Sequence, residues 1–168
     1  MIASRSLRRI NDFENDIANH LRVKLLGDVQ YILGWKVSSK NRDIVISQEA
    51  YISRILDKFG MATSHPVTTP SIKEQQPQPQ KEETEDTNFP YRELIGSLLY
   101  VANSTRPDIA QAVHHAARYV SSPSQQNVVA AKRILRYLKG TINIGIIFKQ
   151  AQAFTITGYA DADFANDY

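Results

Sequence analysis

The amino-acid sequence predicts an α+β fold. It reads as a helix–β-hairpin–helix unit, a flexible linker, a three-helix unit and a C-terminal β-hairpin. Three observations carry this. Apolar residues recur at helical spacing in several segments separated by Gly, Pro and Ser. Short runs rich in Ile, Val and Thr flank polar turns near both ends of the chain. A Pro/Gln tract followed by an acidic run divides the two halves.

The elements follow in order. In residues 10–25, Phe13, Ile17, Leu21 and Leu25 recur every fourth position, with Asn11 or Asp12 able to cap the start. Gly27-Asp28 breaks that helix. Residues 30–38 read as one strand, Ser39–Arg42 as a polar turn and Asp43–Ser47 as a second strand. Gly34 weakens the first strand and marks a bulge or the close approach of another backbone. In residues 48–59, Tyr51, Ile52, Ile55, Leu56 and Phe59 form one apolar stripe, and Gly60 stands at the C-terminal cap. Residues 63–90 read as a mobile linker. Pro66, Pro70, Pro77 and Pro79, the Gln75–Gln80 run and Glu82–Asp86 cannot build a packed core. Three helices come next. Tyr91–Asn103 buries Tyr91, Leu94, Ile95, Leu98 and Leu99. A second helix opens at Pro107, whose fixed φ suits a first turn, and closes near Ser121-Ser122-Pro123. A third runs from the Ser124 cap to Lys139 and stops at Gly140. Residues 142–148 and 153–160 read as a hairpin.

Composition narrows the function classes. The 168 residues include no cysteine, which excludes disulfides and thiolate-bound zinc. No apolar run is long enough to span a bilayer, and no membrane association is expected. The arginines of Met1–Arg9 precede no apolar stretch, so they do not form a secretory signal. The net charge of +3 is uneven: residues 61–90 hold two Lys/Arg against five Asp/Glu, whereas 91–139 hold seven against two. A basic helical segment beside an acidic linker points to a polyanionic partner. On composition alone an ordinary solvated charged surface accounts for it better. The histidines at 20, 65, 114 and 115 form no metal pattern, since adjacent His114 and His115 diverge by roughly 100° on a helix.

Two segments, Thr105-Arg106-Pro107-Asp108-Ile109-Ala110 and Ala131–Thr141 with its run Lys132-Arg133-Ile134-Leu135-Arg136-Tyr137-Leu138-Lys139, resemble one family. It is the Pol polyprotein of copia-type LTR retrotransposons, where reverse transcriptase passes into RNase H. The resemblance covers nearly the whole chain. It implies the end of the polymerase palm, a primer-grip-like hairpin and a thumb helix in 1–62, the linker in 63–90, connection helices in 91–141 and an incomplete RNase H-like start in 142–168. The C-terminal hairpin would then be part of an RNase H sheet. The parent activities would be RNA-directed DNA polymerisation and hydrolysis of RNA in RNA–DNA hybrids. The family's Tyr-Val-Asp-Asp carboxylates would fall just before Met1, so this chain is expected to perform neither reaction by itself.

The resemblance also implies site residues. Leu33, Gly34 and Trp35 would derive from the primer grip, although Trp35 is equally well a buried aromatic of an ordinary hairpin. Lys132, Arg133, Arg136 and Lys139 share one broad face by their three- and four-residue spacing, opposite Val128, Ala131, Leu135 and Leu138. That face would contact the backbone phosphates of an RNA–DNA or DNA duplex. Arg106 and Asp108 read as locally structural, with Ser104 or Thr105 capping a helix. In Gly158-Tyr159-Ala160-Asp161-Ala162-Asp163-Phe164, Asp161 matches the first metal-binding carboxylate of RNase H. Phe164 and Asn166 depart from the more usual Trp and Gly. Mg²⁺ would be the parent enzyme's cofactor. Asp161 would hold it only weakly without its missing partners, and this chain by itself is expected to bind none. The partners implied are the duplex and the rest of the parent polyprotein. The setting implied is intracellular: a cytoplasmic virus-like particle, the nucleus or both. The competing class is a truncated or domesticated remnant that acts through protein association, or a relic without function.

Overall fold

The computed structural model describes residues 2, 4–72, 89–150 and 158. Among them are five α-helices and one four-stranded antiparallel sheet in the order β1-β2-β3-β4, an α+β arrangement as expected. The helices are α1 (Leu7–His20), α2 (Glu49–Lys58), α3 (Tyr91–Ser104), α4 (Ala110–Ala117) and α5 (Gln125–Gly140). A 3₁₀ turn, Pro107–Ile109, leads into α4. The strands are β1 (Tyr31–Ile32), β2 (Trp35–Lys40), β3 (Asp43–Ser47) and β4 (Ile146–Phe148).

The core lies between α2, α3, α4 and α5. Ile52, Leu94, Leu98, Val113, Leu135 and Leu138 are wholly buried there. Each comes from an apolar stripe visible in the sequence. The helix ends are equally local. Gly60 (φ 67°) closes α2 with both bonds of a Schellman motif: its own N–H donates to the Asp57 carbonyl at 3.1 Å, and that of Met61 donates to Leu56 at 2.7 Å. Ser124 caps α5 in a reciprocal box with Asn127.

The sheet differs from expectation at two places. The sequence predicts a single strand over 30–38. Instead Leu33 (φ 52°) and Gly34 (φ 79°) form a two-residue turn that pairs Ile32 with Trp35 and Tyr31 with Lys36. Positive φ at both central positions matches the natural twist of a hairpin, and glycine accepts it without a Cβ penalty. Asn41 and Arg42 repeat the device between β2 and β3. At the other end, β4 pairs with β3, joining Ile44 to Phe148 and Ile46 to Ile146. The expected partner strand at 153–160 lies outside the described residues. The sheet thus ties the hairpin region of residues 31–47 to the segment that follows α5.

In contrast, α1 ends at His20, so Leu21 and Leu25 of the expected 10–25 helix lie beyond it; it buries none of its residues, and Leu7 and Phe13 are exposed. Its amphipathic pattern has no partner surface among the described residues.

The chain enters β4 through Gly145. A β-carbon placed there would lie 2.2 Å from the Ile46 carbonyl oxygen, an impossible approach. Gly145→Ala is therefore expected to detach β4 from β3 at a cost of about 1–3 kcal/mol. Hydrogen exchange at Ile146 and Phe148 should quicken while the helical core keeps its protection.

Candidate nucleic-acid interface

The cationic face of α5 is built as its spacing predicts. Val128, Ala131, Ile134, Leu135 and Leu138 are buried, and Lys132, Arg133, Arg136 and Lys139 lie on the opposite side, each half-buried. Their partial burial has a definite cause. Residues 64–72, the first part of the expected linker, run along this face as a strap. Lys139 Nζ donates to the Ser64 carbonyl at 2.6 Å, Arg136 Nε to the His65 carbonyl at 2.7 Å and Arg133 Nη2 to Thr69 Oγ1 at 2.9 Å. Lys132 Nζ sits 4.7 Å from the centre of the Phe89 ring, a cation–π contact. Gly140 accommodates the strap: a β-carbon there would stand 3.0 Å from Pro66 Cβ. The strap ends at Pro70, Ser71 and Ile72, which line a cleft together with Asn127 and Arg133. Asn127 Nδ2 and Arg133 Nε are buried with no hydrogen-bond acceptor among the described residues.

Leu33, Gly34 and Trp35 form the tip and first strand residue of the β1–β2 hairpin. The tip is docked on α3, where Tyr100 Oη donates to the Leu33 carbonyl. Leu33 itself is exposed, whereas Trp35 is half-buried and its Nε1 is enclosed without an acceptor among the described residues. Asp161 lies outside the described residues. Among the described residues no three His, Asp or Glu side chains gather to hold a metal ion.

The Thr-Arg-Pro-Asp motif does more than its local reading. The residue preceding the 3₁₀ turn is Arg106, and no side-chain cap forms there. Arg106 is instead wholly buried and grips Asp108 with two bonds, Nε to Oδ1 at 2.9 Å and Nη2 to Oδ2 at 2.7 Å. It also reaches the end of α5, with Nη1 to the Thr141 carbonyl at 2.9 Å and Nη2 to Thr141 Oγ1 at 2.6 Å. Tyr137 Oη adds a bond to Asp108 at 2.9 Å, and its ring centre lies 5.5 Å from the guanidinium carbon. Next door, Thr105 Oγ1 donates to Gln48 Oε1 at 2.8 Å, at the junction of β3 and α2. The motif therefore locks α5 to the rest of the fold. Sequence periodicity missed this, although an arginine set between Val101-Ala102 and Ile109 is an available signal of a buried, paired charge.

With this geometry in place, comparison with known proteins defines first a class. Residues 1–73 match the family described as reverse transcriptase (RNA-dependent DNA polymerase). More particularly, the chain is related over nearly all of its length to the retrovirus-related Pol polyproteins of copia-type transposons. It is 35% identical over 175 residues to that of transposon TNT 1-94 from Nicotiana tabacum, covering 99% of this chain and 13% of the relative. It is 35% identical over 157 residues to that of transposon RE1 from Arabidopsis thaliana, covering 91% of this chain and 10% of the relative. An uncharacterized mitochondrial protein of Arabidopsis thaliana is 29% identical over 153 residues, 61% of its length. No solved structure matches the chain.

The Arg106 lock has a pH signature. Burial pushes Asp108 up, but hydrogen bonds from Arg106 and Tyr137 and the Arg106 charge outweigh it and hold the carboxyl below its ordinary value of 3.8. A lowered folded pKa means stability that is present above the ordinary value and lost as pH falls through the folded one. Arg106→Met should cost about 3 kcal/mol, because it leaves Asp108 without its partner. Arg106→Lys should recover little of this, since an ammonium cannot bind both carboxylate oxygens and Thr141 together. Acid unfolding of Asp108→Asn should begin from a lower stability and show a shallower decline below pH 3.8. Urea melts across pH check all three.

Proposed function

We propose that this chain is the thumb and connection portion of an RNA-directed DNA polymerase with RNase H, and that it holds the duplex by its backbone phosphates. The observation that carries this reading is the row of four cations on α5 in a chain related throughout to transposon Pol polyproteins. Such a face suits phosphate. Arginine and lysine supply donors along the helix at about two per turn, and phosphate contacts give affinity without base sequence. The tip Leu33-Gly34 with Trp35 is the second contact of this reading. There the exposed Leu33 side chain is the part of the tip that faces outward, while Gly34 lies against Tyr100. Asp161 would contribute one carboxylate to an RNase H centre and its Mg²⁺, whose further ligands come from elsewhere. The setting this implies is intracellular, in a virus-like particle or the nucleus.

A second reading rests on α1. Its exposed Leu7 and Phe13, with Leu21 just past its end, favour association with the rest of a longer polyprotein through an apolar face. Such association would be insensitive to salt.

Replacing Lys132, Arg133, Arg136 and Lys139 by Gln tests the first reading against the second. The 168-residue chain should bind RNA–DNA hybrid without sequence preference, and log affinity should fall linearly with log salt. The fourfold variant should bind less tightly, with a slope flatter by about 0.9 for each phosphate it no longer touches. Equal binding and an equal slope would remove α5 from the interface. Salt-insensitive self-association without hybrid binding would favour α1.

A further inference from the structure

We propose that residues 64–72 are a displaceable strap that occupies the cationic face of α5, and that a nucleic-acid backbone binds there by replacing it. The proposal rests on the phosphate-contact reading and adds a regulatory step to it. Three observations carry it. First, the strap uses the same atoms a phosphate would use: Lys139 Nζ, Arg136 Nε and Arg133 Nη2 each donate to an oxygen of Ser64, His65 or Thr69. Two of those acceptors are neutral main-chain carbonyls and the third is a hydroxyl. The strap's bonds are already charge-assisted by their cationic donors, but a phosphate oxygen adds a full opposite charge and so an ion-pair attraction that a neutral carbonyl or hydroxyl lacks.

Second, the strap leaves the face incompletely satisfied. Among the described residues, Arg133 Nε stays buried with no acceptor, and so does Asn127 Nδ2 in the cleft where Pro70, Ser71 and Ile72 lie. A buried donor without a partner is costly, because it has lost its water and gained no acceptor in return. A phosphate, with several acceptor oxygens, relieves that cost for Arg133 in a way the strap does not. Third, the strap's remaining hold is local: Ser64 bonds the Met61 carbonyl through its Oγ at 2.7 Å and its N–H at 3.1 Å, a turn that need not open for the rest of the strap to leave α5. Ser64, Val67 and Pro70 are only half-buried, none of 64–72 belongs to the buried core, and the segment has no helix or strand of its own. Its seat against α5 depends on the absence of a side chain at Gly140, which lets Pro66 approach.

The closed strap therefore masks three of the four cations, and its release presents Lys132, Arg133, Arg136 and Lys139 together. Hybrid affinity then depends on the strap equilibrium. The competitor is built into the chain, so its effective concentration is fixed by tethering rather than by mass action.

The absence of any cysteine permits a direct test. In the double variant Pro66→Cys/Gly140→Cys of the 168-residue chain the two β-carbons would start 3.0 Å apart, so a small outward shift brings them to the roughly 3.5–4.5 Å that a disulfide spans. Oxidation pins the strap closed and reduction frees it in the same molecule. Binding of a mixed-sequence RNA–DNA hybrid is measured against salt in both states, with circular dichroism reporting an intact fold. The expected result is at least tenfold weaker binding at low salt in the oxidised form, with a log–log salt slope flatter by about 2–3. Equal affinity and equal slope in the two states would overturn the strap while leaving the phosphate reading in place. Binding by neither state would overturn both. Gly140→Val, which crowds Pro66 off α5 without a crosslink, is the independent check: it should bind more tightly than the unaltered chain, and unchanged or weaker binding would count against the strap.

Discussion

The fold turns on one buried cation. Arg106 has no solvent contact, so its charge must be met inside the protein, and the structure meets it with a bidentate carboxylate and two oxygens of Thr141. Removing a guanidinium from water is repaid only when the geometry is good and the remaining donors are used. Here one residue supplies both needs and fastens the end of α5 to the turn after α3. A cation at a helix C-terminus is also where the helix dipole favours it. Thr105 extends the same junction to Gln48, and so to the hairpin sheet and α2.

Everything proposed for α5 depends on that anchor. The strap seats against the last two turns of the helix, at Arg136, Lys139 and Gly140, directly beside Tyr137 and Thr141, which belong to the lock. A helix end free to fray would present its cations in no fixed row. Phosphate contact along a duplex requires such a row, because successive phosphates are regularly spaced. The lock thus gives geometry to the face, the strap covers it, and the capping box at Ser124 holds the other end. The hairpin tip is placed by a similar economy, through the hydrogen bond from Tyr100 to the Leu33 carbonyl.

Much of this was legible in the sequence, and the reasons are local. The stripe Ile52, Ile55, Leu56 marked α2, Gly60 ended it, and Ser124 opened α5, because apolar spacing and caps act within a few residues. The split of the first strand was not legible. A Leu-Gly turn lacks the Asn or Asp that normally announces a two-residue hairpin. The pairing of β4 with β3 was hidden as well, since no local signal specifies a partner about a hundred residues away. Of the candidate site, the α5 cations were visible, but their occupancy was not. The strap binds largely through main-chain carbonyls, which every sequence has. The burial of Arg106 was masked by the helical start at Pro107, which offered a sufficient local explanation for the motif.

The most direct measurement is a nuclear magnetic resonance titration of the isotope-labelled chain with a mixed-sequence RNA–DNA hybrid, following the arginine Nε–H signals. Arg133 and Arg136 are expected to shift progressively at low salt and return as salt is raised, while buried Arg106 stays in place. A hybrid that leaves Arg133 and Arg136 unmoved, or that binds while only residues of the β1–β2 hairpin shift, would contradict phosphate contact along α5.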